Sequence, residues 1–95
     1  MENGTIVLGQ VLGNFESVIK SLTALGLEPL LGGEGDLSIV SVNLPEGWAI
    51  SEPIETKMGN DPCTVQQITN HKQTPVIEIL TYTTPPPEHR FRLLI

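Results

Sequence analysis

Residues 14–26 read NFESVIKSLTALG, and this stretch decides the fold class. Phe15, Val18, Ile19, Leu22 and Leu25 recur at helical spacing and fall on one face. Asn14 suits the N-cap, where its side-chain oxygen accepts an otherwise unpaired amide of the first turn. Glu16 follows in that turn, where the helix dipole favours an anion, and Lys20 stands four residues on. Such a pair adds only about 0.3–0.5 kcal/mol. Gly26 ends the helix as a C′ residue, Leu27 supplies the accompanying apolar contact, and Pro29 prevents continuation.

The flanks of this helix read as strands. Thr5–Leu12 (TIVLGQVL) is β-branched and apolar, with Gly9 marking a bulge. A turn over Leu31–Asp36 (LGGEGD) leads into a second strand, Leu37–Asn43 (LSIVSVN). Strand, helix and strand in this order open a βαβ or split βαβ unit. Leu44-Pro45-Glu46-Gly47-Trp48 then forms a turn with Pro45 at i+1 and Gly47 at i+3. Trp48–Ile50 is a short strand, and Ser51–Pro62 (SEPIETKMGNDP) a polar loop broken by Pro53, Gly59 and Pro62. Cys63–Thr69 and Pro75–Thr83 make a hairpin around a five-residue turn, Asn70–Thr74. Burial of Ile77 and Ile79 would keep Glu78 in water. Pro85-Pro86-Pro87 is a stiff hinge before a last strand that ends apolar, RFRLLI over residues 90–95.

The 95 residues therefore form one domain, 1–95, of the α+β class. A single amphipathic helix packs on a mixed, mostly antiparallel sheet of about four to five strands. The helix contributes its five apolar residues, and the sheet answers with Val7, Ile39, Val65, Ile77 and Ile79. Residues 51–62 are the polar loop and 85–95 the proline-hinged terminal strand. A strand on such a hinge invites exchange with a neighbour, which points to a homodimer through Phe91, Leu93 and Ile95. Docking in the chain's own sheet is the alternative, because strand edges need cover.

Eleven acids oppose five bases, a net charge of -6. The imbalance is confined to one part of the chain: Ser21–Thr56 holds six acids and no Lys or Arg. A nucleic-acid partner needs a basic stripe, and an anionic membrane repels such a chain, so neither is expected. A basic protein surface is the partner this charge suits. The residues on offer to it are Glu34, Asp36, Glu46, Trp48, Glu52 and Glu55. Solubility alone would also account for the acidity, and for Trp48 a place in the core is the favoured reading over an interface anchor. Arg90 and Arg92 share a strand face, where pairing with glutamates of the same or a second chain is expected.

Catalytic and metal-binding patterns are not met. Gly32-Gly33-Glu34-Gly35 lacks the Gly-Lys-Ser/Thr and the following helix of a phosphate loop. Cys63, His71 and His89 follow no zinc spacing and form a nucleophile–base pair only if the fold brings them together. The reading calls for no cofactor, no metal and no enzymatic role. The single cysteine and an N-terminus without a basic, apolar leader place the chain in the cytoplasm. Leu44-Pro45-Glu46-Gly47-Trp48 ahead of a hairpin resembles short proteins of phages and mobile elements over about half the chain, which bears on source and implies no activity. The expected function is a small acidic protein–protein interaction module, such as an inhibitor, immunity or anti-defence factor of bacterial or phage origin. The alternative is a regulatory module that binds a small ligand at the first strand–helix junction, Gly13-Asn14.

Overall fold

In the computed structural model residues 4–32, 39–83 and 88–95 are described. The helix, α1, runs Phe15–Ala24. Asn14 Oδ1 accepts from the Ser17 N–H at 2.9 Å. At the other end Gly26 N–H donates to the Thr23 carbonyl and Leu27 N–H to the Leu22 carbonyl. With Gly26 at φ +94°, these two bonds make a Schellman cap, and buried Leu27 lies over buried Leu22. Glu16 and Lys20 are both exposed and form no ion pair; among the described residues the ion pairs lie elsewhere.

Among the described residues eight strands form one curled sheet: β1 Thr5–Val11, β2 Leu30–Leu31, β3 Ile39–Asn43, β4 Ala49–Ile50, β5 Ile54–Met58, β6 Asp61–Thr69, β7 Pro75–Tyr82 and β8 Glu88–Leu93. Their order is β2-β3-β1-β8-β7-β6-β4, with β5 beside β4 on the outer side of β6. Only β1 and β8 pair in parallel; every other pair is antiparallel. Both β1 and β2 run antiparallel to β3, so β3 separates two parallel strands joined through α1. That is the split form of the βαβ unit.

The class is α+β as the sequence requires, but four to five strands is an undercount. β4, two residues long, falls within the short strand expected at Trp48–Ile50, whereas β2 is two residues with no alternation to show it. β5 lies inside the polar segment 51–62 and has all five side chains exposed, so it carries no apolar signal. The Gly59-Asn60 pair was the usable sign. Met58 pairs with Asp61 across it, and Gly59 at φ +65° fits the first central place of a type II′ hairpin turn. The Leu44–Trp48 turn closes one residue later than expected. Trp48 N–H donates to the Pro45 carbonyl, and Gly47, at φ +86°, takes the third position, the one that requires positive φ in a type II turn.

The core lies between α1 and one face of the sheet. Val18 and Leu22 meet Leu8, Val40, Val42, Ile68, Ile77, Ile79 and Phe91, with Phe15, Ile19 and Leu25 packed at the margin. Val7 is not among them; it is 49% exposed. Ile6 pairs with buried Val42 and Val7 with Ser41, so ordinary alternation puts Ile6 and Leu8 on the covered face and Val7 on the other, and the bulge shifts the register only beyond Leu8, at Gly9. Ile39 and Val65 are half-buried, outside this core. Strand β7 is buried on both faces, because Leu80 and its neighbour Cys63 are also covered, opposite Ile77 and Ile79. Glu78, on the Leu80 face, meets its need for a partner through Arg92 at 2.7 Å.

Candidate interaction edge

Two sheet edges remain after this arrangement, and the longer is built by β4 and β5. Ser51 controls the passage between them. Its N–H donates to the Gln67 carbonyl at 2.9 Å, its Oγ accepts from the Gln67 N–H at 2.9 Å, and its carbonyl accepts from Gln66 Nε2 at 3.1 Å. Pro53 has no N–H to continue a ladder, so pairing lapses and resumes at Ile54. From Ile54 to Met58 the chain pairs with β6 back to the Gly59-Asn60 turn. Every residue from Ser51 to Pro62 is exposed, including Ile54 (66%) and Met58 (44%).

Glu46, Glu52 and Glu55 are strung out along this side of the sheet, on the turn before β4, at the Ser51–Pro53 break and on β5 opposite Thr64. All three are exposed. Among the described residues none of them has an ion-pair partner. Two of the five bases are already engaged: Arg90 holds Glu88 at 2.9 Å and lies over the Tyr82 ring, and Arg92 holds Glu78. The edge acids thus keep their charge unneutralised, apart from Lys57 on β5 itself. Glu34 and Asp36 lie outside the described residues, as does most of the Gly32–Gly35 segment and the Pro85–Pro87 hinge.

Trp48 is 8% exposed and packs in the core with Leu44, so contact with a partner would require the Pro45–Trp48 turn to open. The C-terminal residues are placed in the same way. β8 sits inside the sheet, between β1 and β7, and Leu12 N–H donates to the Phe91 carbonyl at 2.9 Å. Phe91 is fully buried and Leu93 half-buried, so a dimer through them would have to withdraw an interior strand. Ile95 alone of the three is exposed, beside a hollow of about 260 Å³ lined by Ser21, Ala24, Leu25 and Leu93.

The remaining candidates do not converge. Cys63 opposes Tyr82 and His89 opposes Thr81, adjacent positions on β7, so their side chains leave opposite faces. His89 Nδ1 is 3.2 Å from Thr81 Oγ1. His71 is on the hairpin turn at the far end of β6, next to Gly47. Among the described residues no three His, Cys, Asp or Glu side chains gather as metal ligands. Asn14 spends its side-chain oxygen on the helix cap, and neither it nor Gly13 lines a hollow among those described. Among the described residues no helix is long and apolar enough to cross a membrane. Set against protein-family models, curated proteins and solved structures, the chain matches none of them. The edge is therefore read from its own chemistry. The sequence showed these acids as charge but not β5, the strand on which Glu55 stands.

Proposed function

We propose that the chain is a small, non-catalytic protein–protein interaction module that sets its acidic edge against a basic surface of a partner protein. An inhibitor, immunity or anti-defence factor acts in this way, by covering the basic face with which a target would grip a polyanion. The observation that carries the reading is the exposure of Glu46, Glu52 and Glu55 on one edge, without ion-pair partners among the described residues. Ser51 and the β6 ladder hold that edge rigid, so little ordering entropy is lost on docking.

The test is calorimetry against a panel of basic nucleic-acid-binding proteins at low and high salt. Screening over a Debye length of about 10 Å at 0.1 M makes such binding weaken as salt rises. The expected result is salt-sensitive binding to at least one of them, lost in a Glu46→Gln/Glu52→Gln variant. Binding that ignores both salt and this double substitution would overturn the proposal.

A further inference from the structure

The outer side of β5 has no strand beside it among the described residues, and its peptide groups point in a direction that β6 determines. The Pro62 carbonyl accepts from the Thr83 N–H at 3.4 Å, on the β7 side. The Gln67 carbonyl accepts from the Ser51 N–H, on the β4–β5 side. Alternation along β6 then turns Cys63, Val65 and Gln67 toward the edge strands. Their β5 partners are Thr56 for Cys63 and Ile54 for Val65. Ile54 and Thr56 therefore spend their backbone groups on β6, while Glu55 and Lys57 turn N–H and C=O outward.

We infer that this edge pairs with the same edge of a second copy, antiparallel about a two-fold axis at Thr56. Few registers are open to such a pair. Both strands must present outward-facing groups to each other, so the axis must pass through a residue and not between two. An axis at Glu55 sets two glutamates opposite each other, and an axis at Lys57 sets two lysines. The axis at Thr56 sets Glu55 opposite Lys57 of the second copy, twice. Opposite charges directly across a ladder attract and like charges repel, so charge selects the one register. In it, Glu55 and Lys57 of each chain exchange N–H···O bonds with the other.

The side chains agree with this register. Glu55 and Lys57 share one face of the strand, and Ile54, Thr56 and Met58 share the other. Ile54 of one copy then lies opposite Met58 of the second, again twice, and two of the large exposed apolar side chains are covered. Pro53, with no N–H, ends the ladder on one side and the Gly59 turn ends it on the other. The contact is thus five residues long and self-limiting, a closed pair that cannot grow into a fibre. Glu46 and Glu52 stay outside the paired stretch, so a dimer carries two acidic rims.

Analytical ultracentrifugation of the full chain over a wide concentration range tests this, with near-ultraviolet circular dichroism of Trp48 confirming that each variant is folded. The chain should show a reversible monomer–dimer equilibrium. Glu55→Lys and Lys57→Glu each set like charges opposite each other and should raise the dimer dissociation constant by roughly tenfold or more. The double variant Glu55→Lys/Lys57→Glu recreates both pairs with signs exchanged and should dimerise like the parent. Mixing the two single variants should yield a heterodimer, since one edge then carries two lysines and the other two glutamates. A parent that stays monomeric, single variants that dimerise unchanged, or a double variant that fails to recover would each overturn the inference. Its failure is separable from that of the partner-binding proposal, because Glu46→Gln/Glu52→Gln alters the rim and leaves the paired strand intact.

Discussion

Gly9→Ala is the most direct probe of how the sheet closes. Gly9 sits in the β1 bulge at φ +95°, where side chains are strained. A Cβ there would lie 2.5 Å from His89 Cβ and closer still to the His89 carbonyl carbon and oxygen. Backbone on β8 must then move by a large fraction of an ångström, and no flexible side-chain end is available to yield. Strain at such a φ costs about 1–3 kcal/mol. Forcing packed groups apart costs about 1–3 kcal/mol more. The combined loss is a large share of the roughly 5–15 kcal/mol that is typical of a whole domain. At about 4–8 °C per kcal/mol for a chain of this size, the melting temperature should fall by ten degrees or more, roughly. Urea and thermal unfolding followed by Trp48 fluorescence measure it. Hydrogen exchange at the Leu12 N–H, which bonds Phe91 across the β1–β8 join, should accelerate in the variant relative to the β6–β7 amides. Gly13→Ala is the control: Gly13 has φ +126° with open space around it, so it carries the strain without the collision. If Gly9→Ala lost no more than Gly13→Ala, β1 and β8 would not lie in the contact described.

Other substitutions test other joins. Gln73 holds φ +64° in the β6–β7 turn without being glycine, so Gln73→Gly should stabilise by about 0.5–1 kcal/mol in urea unfolding. Leu8→Ala should cost about 2–5 kcal/mol. Val7→Thr next to it should stay within about 0.5 kcal/mol, and equal effects would refute the placement of Leu8 on the covered face of β1 and Val7 on the open one. Asn14→Ala removes the cap on Ser17 and should cost about 1 kcal/mol. Deleting Glu88–Ile95 removes an interior strand with Phe91, so the truncated chain should show no cooperative unfolding transition; a folded product would place β8 elsewhere.

Local chemistry made some features readable before any tertiary contact was known. The helix is one of them, since its periodicity, the Asn14 cap and the Gly26–Leu27 stop all act within a few residues. The Asn70–Thr74 turn is another: Asn70 Oδ1 accepts from the Lys72 and Thr74 N–H groups, a purely local device. The acidic edge was legible as charge, because Glu46, Glu52 and Glu55 stand in a stretch without bases. β5 was not legible, because a strand at the rim of a sheet needs no apolar alternation when all its side chains face water.

Tertiary structure decided the rest. Periodicity says which residues share a face, but not which of two faces is covered; β7 is covered on both, so Leu80 is as buried as Ile79. On β1 the pairing of Ile6 with Val42 and Val7 with Ser41 covers Leu8 and exposes Val7, a choice of phase that alternation alone leaves open. The destination of β8 was the furthest from reach. Its apolar end required cover, but whether a second chain or the chain's own β1 and β7 supplied it depended on residues as far apart as Gln10 and Arg90 meeting in space. By itself the sequence determined the helix, the hairpin turn and the sign of the charge, all short-range properties. The fold alone decided which strand became an edge, and so which acids and which backbone groups are left facing outward, because that depends on pairings between residues distant in the chain.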